Sequence, residues 1–205
     1  NIDRISIAPS RFCTKGCSFC YNGSSKLGEV GFTSDEVVSL VTDCAKYGVE
    51  YVSIGGGEPL EWPGLFETLV DLRGVVARSF TTNGLPLLRD PTLLPRIVEA
   101  QPDKVHISIH APENLREVAR VIDQVKQLDQ LGVPAGVNLL VKRSRLAEAK
   151  EVAGYLHGSG IENDRIVILP ARGPGGETPS PKEIANVAQP KAVDTRPFQS
   201  ITCLR

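Results

Sequence analysis

Strand-like and helix-like stretches alternate along almost all of this 205-residue chain, and no other feature restricts its fold as much. RISIAP reads as a short apolar strand, followed by a cysteine-rich loop. TSDEVVSLVTDCAKYG then has a Thr or Ser cap, acids in its first turn, apolar residues at helical spacing and Gly48 as a stop. EYVSIGGGEP is a strand running into a glycine turn, LFETLVDLRGV a helix, ARSFTTNG a strand and PTLLPRIVEAQ a helix. KVHISIHA is a strand, and ENLREVARVIDQVKQLDQLG is a long amphipathic helix ending at Gly132. PAGVNLLVK, RLAEAKEVAGYLHGSG and RIVILPA complete the series as strand, helix and strand. Apolar runs such as VILP suit strands buried on both faces.

Six such units imply parallel strands with right-handed crossovers, in an open doubly wound sheet or a barrel. A full eight-fold barrel takes about 250 residues. The expected fold class is therefore α/β: a partial (βα)6 TIM-like barrel with a short irregular C-terminal extension. The core spans residues 1–170 and the extension 171–205. The extension is rich in Pro and Gly, with PKEIANVAQ as one short helix, and either packs on the core or leads into a further segment.

The net charge is −1, and the 23% of charged residues mix both signs. That describes neither a basic nucleic-acid face nor a polybasic membrane stripe. No apolar run approaches the ~20 residues of a membrane helix. The N-terminal NIDRISIAPS has too short an apolar part, flanked by Asp3 and Arg4, for a signal peptide. A cytoplasmic protein is expected, with no nucleic-acid or membrane partner. Methionine is absent even at position 1, so the sequence reads as trimmed from a longer translation.

Three of the five cysteines, Cys13, Cys17 and Cys20, fall within eight positions as C-x3-C-x2-C; Cys44 and Cys203 stand apart. An odd count without a signal peptide argues against a disulfide framework. Structural zinc wants four ligands, usually on two paired arms, and no second arm is present. An iron–sulfur cube usually takes four cysteines; with three, one iron keeps an open position for a ligand. A zinc site completed by Cys203 remains an alternative. Gly16 and Gly23 relax the loop. GGGEP, residues 55–59, ends the second strand; taken alone it is a strand-to-helix turn punctuated by Pro59.

CTKGCSFC, after the first strand of a βα chain whose second strand ends in GGGEP, resembles the cluster motif of the radical S-adenosylmethionine (radical SAM) superfamily. Phe19 matches the aromatic residue common before the third cysteine. The resemblance covers residues 4–170. It implies that Cys13, Cys17 and Cys20 bind three irons of a [4Fe-4S] cluster, whose vacant iron chelates SAM. One electron then splits the sulfonium C–S bond, and the resulting 5′-deoxyadenosyl radical removes hydrogen from a small metabolite, peptide or protein. An electron donor such as flavodoxin or ferredoxin is implied as a partner.

The same resemblance assigns cofactor-binding roles. The carbonyls of Gly56 or Gly57 and the carboxylate of Glu58 would accept from the SAM ammonium. Ser108 would bind ribose, and Leu169 with Pro170 would back the adenine. Asn138 lies in the fifth strand as a further candidate, and Arg143 or Lys142 at its end would pair with the SAM carboxylate. Thr82, Asn83 and His110 are further strand-end candidates, with Asn83-Gly84 also a turn dipeptide and His110 also a helix cap. Cys44 is expected in the core and Trp62 against the loop after the second strand. Cys203 is a core residue, a substrate-facing thiol or a first ligand of a further segment. The alternative function is a non-catalytic iron–sulfur or zinc-binding module for electron transfer or structure.

Overall fold

The computed structural model describes residues 2–172 and 176–188. The elements follow the expected alternation: β1 (Arg4–Ile7), α1 (Ser34–Ala45), β2 (Tyr51–Ile54), α2 (Leu65–Asp71), β3 (Ala77–Thr82), α3 (Pro86–Arg89), α4 (Leu93–Ala100), β4 (Lys104–Ile109), α5 (Leu115–Gln130), β5 (Ala135–Val141), α6 (Leu146–Gly158), β6 (Ile166–Pro170) and α7 (Pro181–Val187). The six strands form one sheet in the order β1-β2-β3-β4-β5-β6. The pairs β1–β2, β2–β3 and β5–β6 are parallel. Sequential order is that of a βα barrel wall, whereas a doubly wound sheet reverses at a switch point. The fold class is the partial (βα)6 barrel expected from the sequence. No helix among the described residues is long and apolar enough to cross a membrane.

Two compact units divide the chain. One holds residues 2–106 with Leu128–Pro134; the other holds Ile107–Gln127 with residues 135–172 and 176–188. In the first, Val37, Val41, Ile54, Leu65, Leu69, Phe80 and Ile97 are wholly buried. Helix α1 starts at a capping box: the Thr33 side chain accepts from the Glu36 backbone, and Glu36 accepts from the Thr33 backbone. Its buried stripe is Ser34, Val37 and Val41, and the Ser34 hydroxyl meets that of Thr68 on α2 at 2.9 Å. Cys44, expected in the core, is only partly buried, because the helix ends at Ala45 just past that stripe. Trp62 is buried as expected, and its indole N–H donates to the Phe32 carbonyl at 3.2 Å.

Arg78, near the start of β3, closes the same unit from below. Its guanidinium donates to the carbonyls of Leu69, Ala100 and Gln101 and to the Asp103 carboxylate. Those carbonyls lie at the C-terminal ends of α2 and α4, where a helix has no partners of its own for them.

In the second unit, Val118, Val121, Ile122 and Val125 put an apolar stripe of α5 into the core with Val137, Leu139 and Val141 of β5. Strand β5 is buried on both faces along nearly its whole length. Strand β6 is not: each of its residues is partly exposed. The apolar run VILP therefore marks an edge strand, and Pro170, which has no N–H to give, ends it.

Candidate functional site

The cysteine loop is a stem with a head. After β1, residues 10–13 run beside residues 25–30: Arg11 N–H donates to the Glu29 carbonyl at 2.8 Å, Ser25 N–H to Arg11 at 3.1 Å, and Cys13 N–H to Ser25 at 2.9 Å. The head, residues 13–24, folds as successive turns. Cys20 N–H donates to the Cys17 carbonyl and Gly23 N–H to the Cys20 carbonyl, each at 3.1 Å. Gly16 and Gly23 take φ of 59° and 63°, left-handed values that let the head reverse tightly.

GGGEP is strapped to that stem. Gly55 N–H donates to the Ile7 carbonyl (2.8 Å), Gly57 N–H to Ser10 (2.6 Å) and Glu58 N–H to Phe12 (2.9 Å). A Cβ on Gly57 would collide with the Phe12 carbonyl, and one on Gly56 would sit 2.6 Å from the Ser10 carbonyl. These glycines therefore admit the cysteine loop's own backbone. The Gly56 carbonyl also accepts from the Ser24 hydroxyl at 3.2 Å, and Asn22 donates to Ser24.

Glu58 follows these glycines in the motif. It is 2% exposed. Its carboxylate accepts from Thr82 Oγ1 at 2.6 Å, Asn83 N–H at 2.8 Å and Leu60 N–H at 3.1 Å. It ties the end of β2 to the end of β3 and caps the 3-10 turn Pro59–Glu61. Burial raises its pKa to about 7, outweighing the three donors that favour the charged form. A carboxyl raised in the fold contributes stability that is fully present below its ordinary 4.5 and is lost as pH rises through about 7. The unfolding free energy from urea titrations should fall over that window by on the order of 3 kcal/mol, and Glu58→Gln should remove that part of the slope. An identical pH dependence in the variant would contradict this reading.

A second tether was not foreseen from the sequence. Glu61, its side chain 13% exposed, accepts from both the backbone N–H and the hydroxyl of Thr14, and Arg89 of α3 donates to that hydroxyl at 2.8 Å. Arg89 Nη1 lies 3.7 Å from Glu61. The loop is thus held just after Cys13 by residues far away in sequence.

Cys13, Cys17 and Cys20 are all partly buried. Burial pushes the Cys13 thiol up, helped by the nearby Glu58 and Glu61 charges and opposed by the Lys15 and Gly16 backbone N–H groups. Asn83 Nδ2 lies 3.9 Å from Cys13 Sγ. Among the described residues, no three His, Cys, Asp or Glu side chains gather as ligands of one metal ion. A cube makes a different demand, since each cysteine binds its own iron at a separate corner. Three soft thiols on a turning loop, with an amide N–H directed at one sulfur, fit that donor set. Phe19, also partly buried, sits in the head between Cys17 and Cys20.

The other expected residues belong to the second unit. Ser108 of β4 and Asn138 of β5 are buried. Asn138 stands in register with Val167, and Leu169 of β6 with Leu140. Arg143 opens the turn after β5, and its Nε lies 3.4 Å from Glu183 of α7. Glu177 holds the same turn, through its carbonyl to Arg143 N–H and its carboxylate to the Ser144 hydroxyl. The basic group expected to meet a SAM carboxylate thus meets one from the chain itself. His110 N–H donates to Glu117 of α5 at 3.3 Å, a link from β4 to the following helix. Cys203 lies outside the described residues.

A family model described as the Radical SAM superfamily matches residues 7–175. A protein of Sulfurisphaera tokodaii named probable GTP 3′,8-cyclase is 24% identical over 190 residues, covering 87% of this chain and 59% of that protein. A protein of the same name from Saccharolobus solfataricus is 28% identical over 180 residues, covering 82% and 57%. The chain thus spans somewhat over half the length of these curated relatives. Streptococcus suis SuiB bound to S-adenosylmethionine shares the fold with a TM-score of 0.70 at 17% identity, over 86% of this chain and 42% of SuiB. So does anSMEcpe with bound AdoMet and Cp18Cys peptide, with a TM-score of 0.64 at 17% identity, over 90% and 57%. With its C-x3-C-x2-C loop strapped to GGGEP on a sequential βα sheet, this chain belongs to the radical SAM superfamily.

Proposed function

We propose that this chain holds a [4Fe-4S] cluster through Cys13, Cys17 and Cys20 and binds SAM beside it. The observation that carries the reading is the backbone pairing of the cysteine loop with GGGEP, whose Gly56 carbonyl accepts from Ser24 of that loop. The carbonyls of Gly56 and Gly57 are the acceptors for the SAM ammonium; the Gly56 oxygen keeps a second lone pair beyond its bond from Ser24. Glu58 acts mainly by orienting this stretch and by its negative charge. Ser108, Asn138, Arg143 and Leu169 are the candidates for the remaining groups of SAM. When bound, the cluster supplies the electron that splits SAM into methionine and a 5′-deoxyadenosyl radical for hydrogen abstraction. For this role Arg143 must exchange Glu183 for the SAM carboxylate.

The names of the sequence relatives make GTP the first substrate to test. A one-electron donor protein such as flavodoxin or ferredoxin completes the reaction. Protein purified without air and reconstituted with iron and sulfide should hold roughly four irons per chain. With dithionite and SAM it should release 5′-deoxyadenosine, and Cys17→Ala should lose both properties. Deuterium from labelled GTP appearing in 5′-deoxyadenosine would identify the substrate. A chain that stays free of iron after reconstitution would overturn the proposal.

A further inference from the structure

Asn83 touches both motifs, one through its backbone and the other through its side chain. It is 7% exposed. Its backbone N–H donates to Glu58 Oε2 at 2.8 Å, and its Nδ2 lies 3.9 Å from Cys13 Sγ. Its amide has one orientation available, because Oδ1 accepts from Leu85 N–H at 2.9 Å, which turns the NH2 end toward the sulfur. The turn that carries it is anchored on both sides. Thr82 Oγ1 donates to Glu58 Oε1 and accepts from Gly84 N–H at 3.0 Å, and Gly84 takes φ of 74°. One short turn therefore leans on the carboxylate of the second motif and presents an N–H to the first cysteine of the first motif.

An N–H given to a sulfur ligand draws charge from it and favours the reduced cluster, which raises the reduction potential. A cation arriving near Glu58 competes with Asn83 N–H for the carboxylate and so bears on the turn that carries the amide. We propose that Asn83 is a positioning residue: it orients Cys13 Sγ and transmits occupation of the SAM site, through Glu58, to the electron affinity of the cluster. This rests on the cluster and SAM reading given above.

The test is the cluster's midpoint potential, with and without SAM, in the wild type, Asn83→Asp and Asn83→Ala. Asp preserves the shape and the acceptor for Leu85 but has no N–H to give; Ala removes both without adding charge. Both variants should titrate at a more negative potential than the wild type, and SAM should move their potentials less. Wild-type potentials and wild-type SAM shifts in both variants would overturn the proposal. A second measurement needs no variant. In wild-type protein carrying side-chain nitrogen-15 asparagine, pulsed electron paramagnetic resonance of the reduced cluster should show a nitrogen coupling, and its absence would equally overturn the proposal. A wild type without iron or without SAM cleavage would instead remove the functional reading itself.

Discussion

Alanine at position 57 is expected to strip the protein of most of its iron, whereas alanine two residues earlier is expected to leave iron retention unchanged. The three consecutive glycines look alike in sequence but have different surroundings. A Cβ on Gly55 meets nothing within 4 Å. On Gly57 it would drive into the carbonyl of Phe12, the residue before Cys13, and neither backbone can yield without breaking the bonds from Gly57 to Ser10 and from Glu58 to Phe12. Relief comes only by parting GGGEP from the cysteine stem, so Cys13 shifts relative to Cys17 and Cys20. Overpacking of this kind costs about 1–3 kcal/mol, small beside the stability of a sheet whose buried residues lie elsewhere. Gly57→Ala should therefore keep its far-ultraviolet circular dichroism while losing iron on reconstitution. Its iron-free form should also show altered alkylation of Cys13 by mass spectrometry. Equal iron contents in Gly55→Ala and Gly57→Ala would refute the role given to the pairing.

The contrast among the glycines shows what a linear reading can reach. Element order was legible because strand and helix periodicities are local, and Thr33 with Glu36, or Ser180 with Glu183, announce helix starts within four residues. The three cysteines were legible because their ligand spacing is itself short-range. The supports of the loop were not. Thr14 meets Glu61 and Arg89 across 47 and 75 positions, and only the return of the strands to one end of the sheet brings them together. The partners of Glu58 were hidden for a related reason: its bonds to Thr82 and Asn83 span 24 and 25 positions and tie β2 to β3. The apolar composition of β6 cannot tell a central strand from an edge, since only its last place in the sheet order leaves it part-exposed.

Removing the guanidinium of Arg78 should damage stability rather than chemistry, and Arg78→Met is the substitution that separates the two. The side chain is 6% exposed, and its donors reach three backbone carbonyls as well as Asp103. Asp103 itself is half exposed, so water can take over its charge. The Ala100 carbonyl keeps a donor in Arg73, but the Leu69 carbonyl at the buried end of α2 would lose its own, and an orphaned acceptor of that kind costs about 1–3 kcal/mol. The expected loss is about 1–3 kcal/mol, lowering Tm by roughly 5 °C in a chain of this size. Lysine keeps the charge but cannot spread donors over several carbonyls, so Arg78→Lys should recover only part of the loss. Arg73 offers a control: it also reaches the Glu99 and Ala100 carbonyls, but from an exposed position where water can replace it. Its truncation should cost under about 1 kcal/mol. Because Arg78 lies near the N-terminal end of β3 while Thr82 and Asn83 lie at its other end, Arg78→Met should still load iron at low temperature. Wild-type stability in Arg78→Met would show that solvent satisfies those carbonyls and that the arginine does not hold α2 and α4 to the sheet.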